Sequence, residues 1–351
     1  MKIGLVGFPG SGKTTVFNAL TGLAAETGPG GGRGKTNVGV VKVPDARIDA
    51  LSALFKPKRT VYAEVRFSDV AGNPAATARG LDPGTIAAMR DMDAMAQVVR
   101  GFDDPATGGR PRPAGEIADF EAETLLADTD VVERRLARLR KGERASFARE
   151  QELLERIHAH LETESPLRAL ALTEAEWAGF GGFGFLSKKP MMAVLNVPEA
   201  QAGADLPPDV RELTAAHGMP ALVLSAPVEA EIAQLPRGER AAFARELGLA
   251  EPAQDRFIRE AYALLDLISF FTVGPDEVRA WTIRRGTAAQ PAGGKIHSDI
   301  ERGFIRAEIM EHDELLRLGT EARMREAGKL RLEGKEYIIK DGDVAHFRFN
   351  V

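Results

Sequence analysis

The chain has 351 residues, of which 44% are hydrophobic and 28% charged, with a net charge of −5. This length exceeds the usual size of one hydrophobic core and predicts about two or three domains. The composition is typical of a soluble globular protein, and it excludes the membrane-spanning, disordered and disulfide-stabilised classes, because there is no long apolar run and no cysteine.

Three further features narrow the metal sites, the partners and the location of the protein. The six histidines are scattered without the spacing of a metal site. A net charge of −5 means that nucleic acid can be contacted only through a local basic face. The first residues, MKIGLVG, are typical of a strand rather than a signal peptide. We therefore expect a cytoplasmic protein with no membrane partner and no DNA partner.

The first pattern along the chain is a strand, a glycine loop and a helix. The apolar run KIGLVG predicts the strand, and the spacing of Val16, Phe17 and Leu20 predicts the helix. Between them, GFPGSGKT completes the phosphate-loop motif G-x-x-x-x-G-K-[ST], in the context that this motif requires. Such a loop points backbone N–H groups at a phosphate, its lysine neutralises the terminal phosphates, and its threonine can bind magnesium. The phosphate-binding candidates are Gly7, Gly10, Ser11, Gly12, Lys13, Thr14 and Thr15.

The next strand, in EVRFSDVAG, ends at an acid followed by a glycine. Asp69 is in the position where P-loop enzymes hold magnesium, usually through water, and the Gly72 N–H can sense the terminal phosphate. The D-x-x-G pattern alone is more often a simple turn. Its place after the phosphate loop favours the metal role, so Asp69 and Thr14 are metal candidates and Lys13 and Gly72 are catalytic candidates.

Two later buried strands end at candidates for binding a nucleotide base. MMAVLN ends at Asn196, with Glu199 three residues further on, and PALVLSA ends at Ser225 and Ala226. Ligands of open α/β sheets bind at these strand ends, where GTPases carry N-K-x-D. Val197 replaces the lysine and Glu199 the aspartate, so the geometry that selects guanine is not reproduced. The alternative is that Asn196 and Glu199 cap the next helix.

Residues 103–189 begin with a segment rich in proline and glycine and continue with two charged amphipathic helices. They predict an antiparallel helical hairpin inserted in the sheet domain. The apolar stripe of its first helix contains Val131, Val132, Leu136 and Leu139. The exposed positions are Arg134, Arg135, Arg138, Arg140, Lys141 and Arg144. Such charges are ordinarily a solvated helix face.

The last 80 or so residues show no catalytic cluster but contain strand signals. These lie in EVRAWTI, in GFIRAEIM and on both sides of the turn KDGD in EYIIKDGDVAHFRFN, and predict a small sheet with a helix, of β-grasp type. Trp281 and Phe304 are better explained as core residues than as base-stacking residues. The candidates for a phosphate-binding surface are Arg284, Arg285, Lys295, Arg302, Arg306, Lys329, Arg331 and Lys335.

Taken in order, these motifs resemble the YchF/Obg-like ATPase family of P-loop proteins. The resemblance covers essentially the whole chain and rests on GFPGSGKTTVFNALTG, VGVVKVPDARIDAL, KPKR, DVAG, NVPE, GKIHSDIERGFIRAEI and EAGKLRLEGKEYIIKDGDVAHFRFNV. The last two segments resemble that family's TGS-type domain. The resemblance implies an ATPase in which Asn196 and Glu199 read adenine and Asn196 also braces the phosphate loop.

The resemblance also implies the architecture and partners of the protein. The expected fold is α/β, a P-loop NTPase sheet domain with an inserted helical hairpin and a C-terminal TGS-like β-grasp domain. The hairpin and the last domain are expected to contact a ribosome or rRNA, and the other expected ligands are ATP or GTP and Mg²⁺. We expect a monomer. The predicted domains are 1–102 and 190–270 for the P-loop domain, 103–189 for the hairpin and 271–351 for the TGS-like domain.

Three positions depart from the family pattern. Gly10 replaces an asparagine associated with a monovalent cation, so potassium stimulation should be weaker or depend on backbone oxygens alone. Asn73, a further catalytic candidate, is in the position of the water-orienting glutamine of Ras-like enzymes but is shorter. Thr36 is the one hydroxyl near the position of the family's magnesium-binding threonine, which makes it a third metal candidate.

Two functions of different classes are consistent with the sequence. The first is a slow, magnesium-dependent nucleotide hydrolase that cycles a ribosome-associated switch. The second is a nucleotide- and RNA-binding interaction protein with little or no turnover, because the phosphate loop is intact while the segments after it are altered. Multiple-turnover phosphate release that depends on Lys13 distinguishes the two.

Overall fold

A computed structural model describes residues 1–25, 36–70, 80–103, 109–141 and 147–350. Its contacts divide the chain into two compact units. The first contains residues 1–40 and 66–257, and the second contains residues 41–65 and 258–351. The four-part division into domains stays a prediction, but the packing adds that residues 41–65 belong to the unit formed by the C-terminal residues.

The described residues form strands and helices with the following bounds. The strands are β1 (Lys2–Val6), β2 (Asn37–Lys42), β3 (Arg59–Val61), β4 (Glu64–Asp69), β5 (Ala94–Arg100), β6 (Met191–Asn196), β7 (Ala221–Leu224), β8 (Leu267–Thr272), β9 (Glu277–Arg284), β10 (Phe304–Glu311), β11 (Arg331–Glu333) and β12 (Asp343–Phe349). The helices are α1 (Lys13–Thr21), α2 (Ala46–Phe55), α3 (Pro83–Arg90), α4 (Pro113–Lys141), α5 (Ala148–Leu161), α6 (Glu174–Ala178), α7 (Pro208–Ala216), α8 (Ala226–Gln234), α9 (Arg237–Glu246), α10 (Ala253–Leu264), α11 (Ala289–Ile296), α12 (Ser298–Arg302), α13 (His312–Leu318) and α14 (Glu321–Glu326).

The first unit contains a sheet in the order β2-β4-β1-β5-β6-β7. The neighbouring pairs from β4 to β7 are parallel, so their carboxyl ends meet at one edge. The central strands β5 and β6 are buried along their whole length, as expected for a sheet covered by helices on both faces. This edge therefore brings together the ends of strands predicted to carry the phosphate loop, Asp69, Asn196 and Ser225.

The helical hairpin predicted from the sequence is formed by α4 and α5. Val132, Leu136 and Leu139 of α4 are buried, and Val131 packs beside them. They face Leu154 and Ile157 of α5, both fully buried. The predicted apolar stripe is thus the core of the hairpin. The side chains of Arg134, Arg138, Arg140 and Lys141 are exposed, that of Arg135 is partly exposed, and Arg144 lies outside the described residues.

The second unit contains a mixed sheet in the order β11-β10-β12-β8-β9-β3. Strands β12 and β8 are parallel, whereas β10–β12 and β8–β9 are antiparallel. Trp281 and Phe304 pack against its hydrophobic core, as expected. The residues of EYII do not form the predicted strand, since only Ile338 makes an isolated bridge, to Ala288. Strand β12 already pairs with β10 and β8, which leaves no free edge for a further strand beside it.

The long helix α4 does not have the composition of a membrane span. Charged residues interrupt its sequence throughout. Within the described parts of the chain, no helix combines the length and the hydropathy that crossing a membrane requires.

Candidate functional site

The phosphate loop connects β1 to α1 and has a backbone conformation that depends on its glycines. Gly7 and Gly12 have φ values of 138° and 85°, which other residues rarely adopt. A Cβ added to Gly7 would lie 2.4 Å from Val98 O, and one added to Gly12 would lie 2.4 Å from Asn196 Nδ2. The loop is therefore packed closely against β5 and β6, and a side chain at either glycine would displace it.

Lys13, the first residue of α1, is folded back onto the phosphate loop. Its Nζ donates hydrogen bonds to Gly7 O at 2.9 Å and to Phe8 O at 3.0 Å. Burial lowers the pKa of this ammonium group to about 8, and the nearby Asp69 carboxylate acts in the opposite direction. A poorly hydrated ammonium group held by neutral carbonyl oxygens would be stabilised by a phosphate oxygen, so the loop suits an anionic ligand.

Thr14 and Asp69 form the candidate metal site. Thr14 Oγ1 donates to Asp69 Oδ2 at 2.8 Å, and Asn37 Nδ2 donates to the same oxygen at 3.3 Å. Asp69 is only 3% exposed, and its Oδ1 is buried without a hydrogen-bond partner among the described residues. A hydroxyl group beside a carboxylate with a free oxygen provides the hard oxygen ligands that Mg²⁺ prefers. These residues therefore fit a magnesium ion.

The described residues alone do not supply a full set of ligands for a metal ion. Within the part of the chain that the structure describes, no three or more His, Cys, Asp or Glu side chains are grouped so as to hold one. Mg²⁺ is usually held by one or two protein ligands together with substrate phosphates and water. The sparse donor set thus agrees with a metal that arrives with a phosphate ligand.

Asn196, at the end of β6, connects two parts of the site. Its Nδ2 donates to Ser11 O at 3.1 Å, and its Oδ1 accepts a hydrogen bond from Ala226 N at 3.1 Å. The residue is 3% exposed. Asn196 thus fixes the phosphate loop to the start of α8. The helix terminus that it caps is that of α8, and not that of the short 3₁₀ helix Glu199–Gln201 that follows it in the chain.

The other base candidates lie near Asn196 but differ in exposure. Val197 is 4% exposed, and its Cγ1 lies close to Gly101. Ser225, the N-cap residue of α8, is buried, and its Oγ has no hydrogen-bond partner among the described residues. Glu199 is exposed, and its carboxylate makes no hydrogen bond or ion pair with the described residues. Of this group, Glu199 has the side chain that can reach out to a base.

Comparison with known proteins identifies the family. Residues 2–132 match the family described as "50S ribosome-binding GTPase", and residues 267–350 match the C-terminal family of YchF GTPases, described as "Protein of unknown function (DUF933)". Two curated proteins named "Ribosome-binding ATPase YchF", from Bacillus subtilis (strain 168) and Escherichia coli O157:H7, are 40% and 42% identical to this chain. The matches cover 100% of this chain and 100% and 99% of those proteins. The chain belongs to the YchF family.

A solved YchF structure supports the same assignment. The structure titled "Structure of the Schizosaccharomyces pombe YchF GTPase" is 31% identical to this chain, with a TM-score of 0.87. The match covers 99% of this chain and 97% of that one. The predicted membership of the YchF family and the predicted fold class are therefore confirmed.

Two residues of the site in this YchF family member are not predicted by any motif. Asn37, at the start of β2, contacts Asp69, whereas its neighbour Thr36 is exposed and makes no hydrogen bond with the described residues. Phe102, just after β5, lies beside the phosphate loop, with its Cε1 4.0 Å from the position of a Cβ on Gly12. Its place directly after a buried strand was the available signal, because such strand ends face the ligand.

The remaining candidates are less closely defined. Gly72 and Asn73 lie outside the described residues, so their catalytic roles stay predictions. Gly10 is exposed, with a φ of 82°, and Thr15 lies within the first turn of α1.

The hairpin of the first unit contains a cavity of about 610 Å³, and four of its nine lining residues are arginines. Arg90, Arg134, Arg135 and Arg138 line it, together with one acid, Glu150. Arg135 is neutralised by two hydrogen bonds of 2.7 Å to Glu150. Arg138 has no ion-pair partner among the described residues, and the buried Nε of Arg90 has no hydrogen-bond partner there. The cavity therefore favours an anion.

Proposed function

We propose that this protein is a magnesium-dependent nucleoside triphosphatase that uses ATP at least as well as GTP and acts as a ribosome-associated molecular switch in the cytoplasm. One observation carries the proposal. The phosphate loop, the Thr14–Asp69 pair and Asn196 adjoin one another at one edge of a parallel sheet. The full-length similarity to proteins named "Ribosome-binding ATPase YchF" supports it.

The phosphate loop accounts for binding and for most of the catalysis. Lys13 would exchange its two carbonyl partners for phosphate oxygens, where its charge is better compensated. In phosphoryl transfer, catalysis comes chiefly from positioning and from neutralising the charge on the transferred group. In this proposal, Gly72 senses the terminal phosphate and Asn73 orients the attacking water.

Magnesium would be held by Thr14 and Asp69, with Thr36 as the third ligand. When bound, the ion would supply positive charge that neutralises the charge developing on the phosphate. Asp69 is suited to this role by its buried, unpartnered Oδ1, and Asn37 holds the other carboxylate oxygen in place. Gly10 has no side-chain oxygen, so we propose that stimulation by potassium is weaker or depends on backbone oxygens alone.

The base would lie beyond the ends of β5, β6 and β7. We propose that Glu199 reads the base from its exposed position, with Val197, Ser225 and Ala226 around it, while Asn196 holds the site together. The aromatic ring of Phe102 offers an apolar face beside the phosphate loop. The longer carboxylate of Glu199 and the buried Val197 disfavour strict guanine selection, as argued above.

The ribosomal partner would be contacted through RNA phosphates. Arg90 and Arg138 in the hairpin cavity have guanidinium groups available for phosphate, which arginine binds with two hydrogen bonds. The basic residues of the second unit would add a further RNA-facing surface. We propose that the protein acts as a monomer.

One feature favours a second candidate function. The phosphate loop is intact while the segments after it are altered, and the shorter Asn73 in the position of the water-orienting glutamine is the kind of change that lowers turnover while binding persists. On this alternative, the protein is a nucleotide- and RNA-binding interaction protein with little or no hydrolysis.

The two functions are separated by multiple-turnover phosphate release with Mg²⁺ and either ATP or GTP. The triphosphatase proposal predicts sustained release that falls by at least about 100-fold in Lys13→Ala, which removes the charge aimed at the phosphates. Lys188→Ala is the matched control, because Lys188 is an exposed lysine of the same unit. Tight binding of nucleotide by the wild type without release would support the interaction protein instead.

Base preference is tested by titrating ATP and GTP into metal-replete protein. We expect ATP to bind at least as well as GTP and Glu199→Asp to shift their ratio by about two- to ten-fold, the effect of moving one acceptor by a methylene. Glu212→Asp, at another exposed acid of the first unit, is the control. A clear preference for GTP, unchanged in Glu199→Asp, would refute the base site.

A further inference from the structure

The residues that line the hairpin cavity come from two kinds of segment. The arginines are supplied by the helices α3 and α4, whereas Gly179, Gly182 and Phe183 belong to a glycine-rich turn. The cavity volume of about 610 Å³ lies within the range of small-ligand sites, roughly 300 to 1,000 Å³. All of the lining residues belong to the first unit. The cavity therefore combines positive charge with an aromatic surface.

Two of the four arginines are already paired with acids. Arg134 donates from Nε to Asp130 Oδ1 at 2.7 Å, one turn earlier in α4. Arg135 is bound by Glu150 through two hydrogen bonds, and its guanidinium also lies 5.6 Å from the ring centroid of Phe147. Arginine donors that a carboxylate occupies are less available to a ligand. These two residues thus shape the cavity more than they supply free charge.

The other two arginines keep their donors. The side chains of Arg90 and Arg138 make no hydrogen bond with the described residues, and the Nε of Arg90 is buried. Asp128 attracts Arg90 electrostatically, but its oxygens accept their hydrogen bonds from Leu186 and Ser187. A buried donor without an acceptor is unfavourable until an acceptor binds. Phosphate supplies several acceptor oxygens, so it suits these two guanidinium groups.

The Arg90 side chain passes closely over a glycine. Gly184, which ends the short helix Gly181–Phe183, has a φ of 63°. A Cβ at this position would lie 3.2 Å from Cγ and 3.3 Å from Cδ of Arg90. Both the left-handed backbone and the close approach favour glycine here. The glycine-rich turn therefore leaves room for the Arg90 side chain beside the cavity.

Phe183 contributes an aromatic ring to the lining. The ring is partly exposed, and its centroid lies 5.2 Å from that of Phe180 and 5.3 Å from that of Phe185. Phe180 and Phe185 are both buried, so they hold Phe183 in place. Aromatic rings next to cationic groups bind unpaired nucleotides, because the base stacks on the ring while the phosphate is neutralised.

The cations continue along α4 beyond the cavity. Arg134, Arg138 and Lys141 are separated by four and three residues, so they lie on one face of the helix, and all three are exposed. A rise of about 1.5 Å per residue spreads them over about 10 Å. A free nucleotide would use only the part of this stripe at the cavity, whereas a strand brings neighbouring phosphates to the rest. The stripe therefore favours a nucleic-acid strand.

We propose that the hairpin cavity binds one unpaired nucleotide of a single-stranded RNA. The base stacks on Phe183, its phosphate binds Arg90 and Arg138, and Lys141 contacts the phosphate of a neighbouring nucleotide. A base pair does not fit this arrangement, because the bases of a duplex are already paired and stacked on one another. This inference rests on the proposed contact between the hairpin and RNA, and it names the form of RNA that the hairpin binds.

The test measures binding of a fluorescein-labelled oligoadenylate of about ten nucleotides to the full-length protein by fluorescence polarisation. Saturating MgADP occupies the nucleotide site, so the RNA reports on other surfaces. Gly182→Leu is the first variant, because a Cβ at Gly182 meets no neighbouring atom of the described chain within 4 Å and the added side chain fills the cavity. The adjacent Gly181→Leu is the matched control, since Gly181 has the same space but does not line the cavity.

We expect Gly182→Leu to raise the Kd of the oligoadenylate about ten-fold, the effect of losing one stacked base, and Gly181→Leu to change it by less than about two-fold. Thermal unfolding of both variants should resemble that of the wild type. Equal Kd values for Gly182→Leu and Gly181→Leu would overturn the inference.

A second pair of variants tests the phosphate contact. Arg138 and Arg140 are both exposed arginines of α4 without an ion pair among the described residues, but only Arg138 lines the cavity. Arg138→Gln should raise the Kd about ten-fold, because it removes a charge-assisted contact to phosphate, and Arg140→Gln should raise it less than about two-fold. Equal losses in the two variants would indicate general attraction between the hairpin and RNA, and would contradict a defined site.

Two competitors identify the form of the ligand. An RNA duplex of the same length should displace the labelled strand at least about ten-fold less well than the unlabelled single strand, because its bases are paired. AMP at the same nucleotide concentration should also compete poorly, because it lacks the neighbouring phosphates. Efficient displacement by the duplex or by AMP would overturn the assignment to single-stranded RNA. Failure of the wild type to bind the oligoadenylate would overturn it as well.

ATP hydrolysis in the absence of RNA separates this inference from the proposed triphosphatase activity. Gly182→Leu should hydrolyse ATP as the wild type does, because no lining residue of the cavity is assigned to the nucleotide site. A wild type that hydrolyses ATP but binds RNA equally well in all four variants would overturn this inference alone. A wild type without hydrolysis that shows the expected losses of RNA binding would overturn the triphosphatase proposal alone.

Discussion

Two buried aspartates, one at the carboxyl edge of the sheet and one at the base of the hairpin, have different surroundings. Asp128 is fully buried, and both of its oxygens are used: they accept hydrogen bonds from Leu186 N at 2.8 Å, Ser187 N at 2.8 Å and Ser187 Oγ at 2.6 Å. Burial still raises the pKa of Asp128. Asp69 is almost as buried, but only its Oδ2 has partners among the described residues.

The difference separates structural polar groups from groups prepared for a ligand. A buried carboxylate whose oxygens are all bonded stabilises the local fold and has little capacity left for a ligand. A buried carboxylate with a free oxygen is unfavourable until something binds to it. The same comparison, between a group at the site and a structural group near the hairpin, can be made for cations. The two half-buried lysines are Lys13 at the site and Lys189 near the base of the hairpin.

The largest expected effect is at the site aspartate. Asp69→Asn should lower multiple-turnover hydrolysis by about 100-fold or more, because it removes the negative charge that supports the metal. The free energy of unfolding of this variant should change by about 1 kcal/mol at most, because the neutral amide does not bury a charge that needs a partner. Steady-state kinetics with Mg²⁺ and thermal unfolding measure the two quantities. Full activity in Asp69→Asn would remove the distinction between the two aspartates.

The opposite result is expected at the hairpin. Asp128→Ala leaves the buried N–H groups of Leu186 and Ser187 without an acceptor, so it should lower the free energy of unfolding by about 3 kcal/mol. Hydrolysis per folded molecule should be unchanged. Urea unfolding measures the loss. The control is Asp130→Ala on the same helix, because Asp130 is exposed and, among the described residues, pairs with Arg134 alone. A stable Asp128→Ala with impaired hydrolysis would contradict the structural role.

The smallest effect concerns the pH dependence of nucleotide binding. Burial lowers the pKa of Lys13 to about 8 in the free protein. Above pH 8 the Lys13 side chain is therefore mostly neutral, and it must take up a proton before it can bind phosphate as a cation. Affinity should therefore be full below pH 8 and fall by up to about ten-fold per pH unit above it. Binding titrations between pH 7 and 9.5 measure this, and Lys13→Arg should flatten the profile because arginine stays charged.

Lys189 provides the matched control for that titration. Its Nζ donates to Arg90 O at 2.9 Å and also to Met92 O, and burial lowers its pKa as well. Among the described residues, its Nζ has no partner in the nucleotide site, so Lys189→Met should keep the pH profile of nucleotide binding. An equal change in both variants would mean that the profile reflects general stability rather than Lys13.

The parts of the site that could be predicted from sequence are those whose function is encoded locally. The phosphate loop specifies its own glycines, lysine and threonine at fixed spacing, and its flanking strand and helix follow from short apolar patterns. Asp69 and Asn196 could be placed because each ends a buried strand of a parallel sheet. Their order along the chain was sufficient to bring them to one edge.

The parts that could not be predicted depend on partners far apart in sequence. Asn37 has no motif, and its role appears only through its contact with Asp69. Glu116 and Glu123 look like ordinary helix-surface acids, because nothing local shows that Arg100 N and Leu81 N are their partners. Strand propensity also misled at EYII, because its expected neighbour β12 pairs with β10 and β8 and has no free edge for it to join.

The unit to which residues 41–65 belong has a consequence for protein synthesis. Strand β3, at the edge of the second sheet, pairs with β9, more than 200 residues later in the chain. At roughly 5 to 20 residues per second, β3 would leave the ribosome on the order of 10 seconds or more before its partner. During that time its backbone has no sheet to join, so the second unit can be completed only near the end of translation. A fragment beginning at residue 258 would lack β3 and expose the edge of β9.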